Sequence, residues 1–152
     1  DRALTHNNLG IAQEEKGKLS EAIAQYRTAM EIKPDFALPH NNLGNVLFAM
    51  NKTEEAITYY KSALKLSPDY AMAHSNLGIA LEEKGEFEEA IAHYREAVRL
   101  EPDLVLAHYN LGIALKEKGE TRSIAPEIYS SRIKSPITAT EILFDLSNQD
   151  NI

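Results

Sequence analysis

A seven-residue segment, His-Asn-Asn-Leu-Gly-Ile-Ala, recurs along the chain and constrains the fold more than any other feature of the sequence. It begins at His6 and returns in related form from His40, His74 and His108, so that successive starts are 34 residues apart. Self-similarity at a fixed period of roughly 20–50 residues is typical of arrays in which each repeat is one supersecondary unit. The sequence therefore predicts a solenoid of stacked repeats.

Each period contains two amphipathic segments. Three repeats align without gaps over 3–36, 37–70 and 71–104, and a fourth begins at Val105. In the first repeat, apolar residues at helical spacing give the second segment a single apolar face. These residues are Leu19, Ala22, Ile23, Tyr26, Ala29 and Met30. The pattern predicts a pair of helices in each repeat.

Two kinds of residue mark the ends of these helices. A residue suited to the left-handed conformation follows the first helix of every repeat, and such residues end helices. They are Gly17, Asn51, Gly85 and Gly119. Prolines follow the second helices, at Pro34, Pro68 and Pro102, and the residue before a proline disfavours helical geometry.

The glycine inside the first helix needs a packing explanation. At Gly10 it costs about 1 kcal/mol relative to alanine, yet it recurs in all four repeats. The sequence suggests that its partner is the small residue twelve positions later, which is Ala22, Ala56 or Ala90. Two facing small residues would let the helices of one repeat cross closely.

The recurring Leu-Gly, Ala, Tyr, Ala and Pro positions resemble the tetratricopeptide repeat family, over residues 3 to about 120. The resemblance implies an all-α, right-handed superhelical solenoid of antiparallel helix pairs, with the first helices lining a concave wall. It also implies a non-enzymatic module that binds an extended peptide or a partner helix in the concave groove.

Asparagines next to the recurring leucine are the candidate ligand contacts. One per repeat would form a ladder along the concave wall, and an amide can pair with the donor and acceptor of a peptide backbone. The ladder residues are Asn8, Asn42, Asn76 and Asn110, and the neighbouring Asn7, Asn41 and Asn45 are grouped with them. The alternative is a polar residue tolerated on a solvated face, although asparagine is a poor helix former.

The recurring histidines invite a metal interpretation, which the repeat geometry excludes. Equivalent positions on neighbouring first helices should lie roughly 10 Å apart, whereas zinc needs its nitrogen ligands about 2 Å away. We therefore expect His6, His40, His74 and His108 to pack between helices, as bulky residues do at this position in the family. No metal and no cofactor are expected.

Composition excludes several functional classes. The chain has no cysteine, which rules out disulfides, thiolate zinc sites and cysteine nucleophiles. The net charge is −7, and residues 71–104 carry three basic against eight acidic groups. Binding to nucleic acid or to an anionic membrane is therefore not expected. No apolar run approaches the roughly 18 residues of a membrane span, no leader sequence is visible, and the expected location is cytoplasmic.

Some family members hold the C-terminal carboxylate of a chaperone tail with a clamp of basic residues and asparagines. Asn42 and Asn76 match its asparagine positions. The basic positions carry Asn7, Met72 and Asn76 in one window and Asn41, Leu106 and Asn110 in the next. Without cations there is no charge-assisted hydrogen bond to a carboxylate, so the sequence argues against this ligand.

Two other functions remain open. The asparagine ladder, the histidine and the closing Pro-Asp-Phe or Pro-Asp-Tyr resemble the arrays of O-linked N-acetylglucosamine transferases. The chain would then be the substrate-selecting arm of a larger glycosyltransferase. Alternatively, exposed end repeats could stack chains into a self-assembling scaffold.

The sequence departs from the repeat after Glu120. The array is expected to span 1–120, with the first helix of the fourth repeat over 105–119. Residues 121–152 are expected to contain a degenerate second helix and either a C-terminal capping helix or a segment foreign to the array. Thr138 and Glu141 have capping-box spacing ahead of an apolar run, which predicts a helix over 137–147.

Asp1 aligns with the aspartates that follow each closing proline, at Asp35, Asp69 and Asp103. Terminal repeats of an array normally carry an atypical cap, and this one does not. We therefore expect the chain to be a piece of a longer array.

Overall fold

Seven α-helices make up the part of the chain that the structure describes. The computed structural model describes residues 1–118, and within that range it contains no β-strand. The helices are α1 (Arg2–Glu15), α2 (Leu19–Ile32), α3 (Ala37–Ala49), α4 (Thr53–Leu66), α5 (Ala71–Glu83), α6 (Phe87–Leu100) and α7 (Val105–Glu117). The all-helical solenoid predicted from the repeat is confirmed.

The helices pack as successive pairs. The most extensive contacts join α1 to α2, α3 to α4 and α5 to α6, and each second helix also contacts the first helix of the next pair. Neighbouring first helices contact each other as well, whereas no contact of that extent joins α2 to α4 or α4 to α6. The first helices therefore form the inner wall of the curved array, as the resemblance implied.

The helix ends follow from local backbone chemistry. Gly17 and Gly85 have φ angles of +72° and +80°, and Asn51 has a φ angle of +59°. These left-handed residues end α1, α5 and α3, as the sequence predicts. The second helices end at Ile32, Leu66 and Leu100, two residues ahead of a proline.

A tyrosine ring, and not the predicted alanine, covers the glycine of the first helix. A Cβ atom built on Gly10 would lie 2.4 Å from Cε1 of Tyr26, and one built on Gly44 would lie 2.6 Å from Cε1 of Tyr60. The prediction that Ala22 and its equivalents are the close partners is therefore wrong. Glycine is needed because an aromatic ring, sixteen residues later in the chain, lies directly on the helix backbone.

The recurring leucine shows how each repeat depends on the one before it. Leu43, Leu77 and Leu111 are at most 2% exposed, whereas Leu9 is 42% exposed. No helix pair lies ahead of α1 in the structure, so the face that the other first helices bury against a preceding repeat is open there. Inter-repeat packing is thus the main source of burial for this leucine.

The predictions for the C-terminal region lie outside the described residues. They concern Gly119, the degenerate second helix and the helix over 137–147. The repeat boundaries likewise remain predictions.

Candidate functional site

The inner wall consists of one stripe from each first helix. In a helix, residues at i, i+4, i+7 and i+11 share a face. Four such residues from each of α1, α3, α5 and α7 give sixteen, and none of them is buried. We call this surface the concave wall.

Residues of the same repeat position form four rows across the concave wall. The leucine row is Leu4, Leu38, Met72 and Leu106, and the asparagine row is Asn8, Asn42, Asn76 and Asn110. The isoleucine row is Ile11, Asn45, Ile79 and Ile113, and the glutamate row is Glu15, Ala49, Glu83 and Glu117. Leu4, Leu38, Leu106 and Ile11 are each 37–43% exposed. The wall therefore carries exposed apolar side chains on both sides of a polar row.

The asparagine row bonds to the repeat that precedes each residue. The side-chain amide of Asn42 donates to Oδ1 of Asn7 at 3.0 Å. The amide of Asn76 donates to Oδ1 of Asn41 and to Oδ1 of Asn45, both at 3.0 Å. Neighbouring first helices are thus joined by side-chain amides, a contact that the sequence analysis did not foresee.

This bonding limits what each ladder residue can offer a ligand. Both amide hydrogens of Asn76 are used, so its Oδ1 is left as an acceptor. Asn42 keeps one amide hydrogen and its Oδ1. Asn8, at the open end of the array, is exposed.

Two of the asparagines grouped with the ladder lie beneath the wall. Asn7 and Asn41 are each 2% exposed, because they lie on the side of the helix that faces the next repeat. Their expected direct contact with a ligand is not available in this arrangement. They act on the wall indirectly, by accepting hydrogen bonds from Asn42 and Asn76.

The ladder is interrupted at the last described junction. Ser75 takes the position of Asn7 and Asn41, and its Oγ is buried without a hydrogen-bond partner among the described residues. The amide nitrogen of Asn110, which is equivalent to the donor of Asn42, is also buried without such a partner. A serine side chain is shorter than an asparagine side chain, which accounts for the missing bond.

The tyrosine that covers each glycine also orients a polar group near the concave wall. The hydroxyl of Tyr26 donates to Glu14 at 2.8 Å, and that of Tyr94 donates to Glu82 at 2.7 Å. Burial, and then the bonded glutamate, raise the pKa of both tyrosines far above the ordinary range. Both hydroxyls therefore remain neutral donors, and the two carboxylates have fixed positions.

Each recurring histidine bonds to a backbone carbonyl or to the second helix. Nε2 of His74 lies 2.9 Å from the carbonyl oxygen of Pro68, and Nε2 of His108 lies 3.0 Å from the carbonyl oxygen of Pro102. Nδ1 of His6 lies 2.8 Å from the side-chain oxygen of Gln25 on the second helix. These partly or fully buried rings pack between helices, and no three described His, Asp or Glu residues form a group suited to a metal.

One histidine contact was not visible in the sequence. Nδ1 of His74 lies 2.9 Å from Nδ1 of His93, on the second helix of the same repeat. Because Nε2 of His74 donates to a carbonyl oxygen, its Nδ1 is the acceptor, and His93 must donate from Nδ1. The sequence could have indicated this contact, because His74 and His93 are nineteen residues apart and the same spacing separates His6 from Gln25.

We expect His93 to make the stability of the array sensitive to acid. Burial lowers the pKa of His93, and the charge of His74 and that of Lys61 lower it further against the opposing effect of Glu89 and Glu96. Below about pH 6.5 the unfolded chain therefore binds more protons at this site than the folded chain, and the free energy of unfolding decreases as the pH is lowered.

The measurement is the change in Tm between pH 7.5 and pH 5 for the parent and for His93→Gln. Glutamine occupies the equivalent position at Gln25, and the side-chain NH2 of a glutamine at position 93 can donate to Nδ1 of His74 without titrating. The variant should lose less stability on acidification than the parent. An equal loss in both proteins would mean that His93 does not contribute.

Comparison with known proteins gives the family. A family model described as "Tetratricopeptide repeat" matches residues 41–105, and one described as "TPR repeat" matches residues 14–50. The chain belongs to the tetratricopeptide repeat family. No curated protein sequence matches it.

Three solved tetratricopeptide structures share the fold. The first repeat domain of Spaghetti (RPAP3), bound to the HSP90 peptide SRMEEVD, is 26% identical with a TM-score of 0.74, and the match covers 78% of this chain and 94% of that one. The MamA protein is 23% identical with a TM-score of 0.73, over 85% and 70% of the two chains. An O-GlcNAc transferase mutant from Thermobaculum terrenum is 25% identical with a TM-score of 0.71, over 75% of this chain and 22% of that one.

Family membership and these neighbours support a protein-interaction module. Among residues 1–118, no helix is both long and apolar enough to cross a membrane.

Proposed function

We propose that this chain is a non-enzymatic interaction module whose concave wall holds an extended peptide or a partner helix. The observation that carries the proposal is the wall itself, in which none of the sixteen residues from four first helices is buried. Exposed leucines and an isoleucine lie beside polar amides along its length. A surface of this kind combines apolar contact with hydrogen bonds to a backbone.

The asparagine row supplies the backbone contacts in this proposal. Each row member is spaced by one repeat, so an extended ligand would meet Asn8, Asn42, Asn76 and Asn110 in turn. The hydrogen bonds between Asn76 and its neighbours fix the orientation of its side chain before a ligand arrives. Such preorganisation lowers the entropic cost of binding.

A double substitution tests the row. Changing Asn42→Ala and Asn76→Ala removes two ligand contacts, each contributing roughly 0.5–1.5 kcal/mol, and should weaken binding by about tenfold. The probe is a peptide obtained by display selection against the parent protein, with affinity measured by calorimetry.

The control variant breaks the same inter-repeat bonds from the buried side. Asn7→Ala and Asn41→Ala remove the acceptors of Asn42 and Asn76 without removing an exposed amide. If the ladder contacts the ligand directly, this control should bind more tightly than the ladder variant. Equal affinities in the two variants would assign the row a structural role alone.

A second candidate function is the substrate-selecting arm of a larger glycosyltransferase. The observation that favours it is the structural match to the O-GlcNAc transferase, in which 75% of this chain is matched. The chain spans 22% of that protein, and the arm would act on substrates through the same concave wall. Transferase activity in the isolated chain is not expected under either function.

A further inference from the structure

The concave wall is unevenly charged from one edge to the other. The leucine row lies at the edge where the first helices begin, and the glutamate row lies where they end. Glu14 and Glu82 stand beside that row and are half-buried. Five carboxylates therefore lie along this edge, in three of the four first helices. In the fourth repeat, Lys116 takes the position of Glu14 and Glu82.

Lysines at two adjoining turns pair with glutamates outside the concave wall. The ammonium of Lys84 lies 3.2 Å from Glu54 and 2.9 Å from Glu86, both outside the concave wall. Lys118, one repeat later, lies 3.8 Å from Glu88 at the start of α6. Both lysines thus contact second helices or their turns, and within the glutamate row Glu83 accepts a hydrogen bond from Oγ1 of Thr53 at 3.4 Å. A carboxylate accepts several hydrogen bonds, so Glu83 can still accept one from a ligand.

Tyrosine hydroxyls fix two of the edge carboxylates. Tyr26 and Tyr94 bond to Glu14 and Glu82 from below, as described above. In the repeat between them the tyrosine bonds to Asn45 instead, and Phe48 takes the glutamate position. The edge thus presents an acidic, an aromatic and again an acidic position along three successive helices.

We propose that the occupant of the groove is an extended basic segment, with apolar side chains along one side and arginine or lysine along the other. This inference rests on the proposed function of the concave wall. Apolar side chains would lie on the leucine row. Basic side chains would lay their aliphatic stems on the isoleucine row, with the cationic heads at the glutamate row.

The repeat spacing sets the spacing of the ligand's side chains. Neighbouring first helices are packed about 8–10 Å apart, and an extended chain in the polyproline II conformation has three residues per turn and advances about 3.1 Å per residue. A ligand with one apolar and one basic residue in every three would therefore present one of each to every first helix. The net charge of −7 favours approach of such a segment and disfavours an acidic one.

The acidic edge also separates this groove from that of a structural neighbour. The RPAP3 domain is bound to a peptide that ends in Glu-Glu-Val-Asp. In this chain such a tail would meet glutamates and lack the cations of a carboxylate clamp.

Three labelled twelve-residue peptides test the inference by fluorescence anisotropy. The first contains four copies of Leu-Ser-Arg, the second four copies of Leu-Ser-Glu, and the third four copies of Ser-Ser-Arg. At low salt the first should bind at least about tenfold more tightly than either of the others, because it alone matches both edges. Its affinity should fall as salt is raised.

Substitutions on the protein locate the charge effect. Changing Glu15, Glu83 and Glu117 to glutamine should weaken binding of the Leu-Ser-Arg peptide by about tenfold, because three exposed ion pairs would be lost together. The control changes Glu21, Glu31 and Glu101 to glutamine, which removes the same charge from second helices and an adjoining turn. The control should weaken binding by less than about twofold.

The outcomes test the basic-ligand inference separately from the proposed function. Equal weakening in the two triple variants, or equal binding of the Leu-Ser-Glu peptide, would overturn the basic-ligand inference. A parallel selection from random twelve-residue peptides separates the two claims. Concave-wall binders without arginine or lysine would overturn the inference and retain the proposed function. The recovery of no binder at all would overturn both.

Discussion

A Leu77→Ala variant is expected to lose about 2–5 kcal/mol of stability, the usual cost of deleting a fully buried leucine side chain. Leu77 is 1% exposed and belongs to the core that joins one repeat to the next. The lost contacts therefore weaken a junction between repeats, and hydrogen exchange should rise in the helices on both sides. Thermal and denaturant unfolding measure the loss.

The chain contains its own control for this prediction. Leu9 occupies the same repeat position but is 42% exposed, and Leu9→Ala should cost less than about 1 kcal/mol. Similar losses in the two variants would contradict the account, because burial against the preceding repeat would then not determine the contribution of this leucine.

The helices could be predicted because their signals are local and repeated. Gly17, Asn51 and Gly85 end helices through their own backbone conformations, and each proline limits the helix before it. Stacking could be predicted from the period, since one amphipathic pair cannot bury its apolar faces alone. These features depend on residue type and spacing, which a sequence shows directly.

The residue that packs against the recurring glycine of the first helix could not be predicted in the same way. The sequence offers both Ala22 and Tyr26 on the facing side of α2, and helical periodicity does not say which one lies over Gly10. That choice depends on the crossing geometry of the two helices and on the rotamer of the ring. The tyrosine lies over the glycine in each of the first three repeats, and its hydroxyl reaches Glu14 in the first repeat and Asn45 in the second.

The sequence places the ladder asparagines at one position of each first helix, but it does not show the hydrogen bonds that join them. Periodicity places Asn42 and Asn76 on the face of the wall, but it treats each repeat separately. The bonds to Asn7 and Asn41 link residues 35 positions apart, one more than the period, so comparison of equivalent positions does not show them. A search for polar pairs at one residue beyond the period could have found both.

We expect Gly78→Ala to destabilise the array even though alanine is the better helix former. The new Cβ would lie 2.5 Å from Cε1 and 2.8 Å from Cδ1 of Tyr94, a ring that is fully buried. Overpacking of this kind costs about 1–3 kcal/mol, against a gain of about 1 kcal/mol in helix propensity. Denaturant unfolding should show a net loss of up to about 2 kcal/mol.

A second substitution identifies the residue that Gly78 accommodates. Tyr94 cannot move away without lengthening its 2.7 Å bond to Glu82, so the strain should remain while the ring is present. Tyr94→Leu should therefore cost less in the Gly78→Ala background than in the parent. If Ala90→Gly relieved the strain and Tyr94→Leu did not, the small residue suggested by the sequence would be the true partner. Because the same glycine and tyrosine recur in the other repeats, the result also decides whether one ring contact fixes the helix crossing throughout the array.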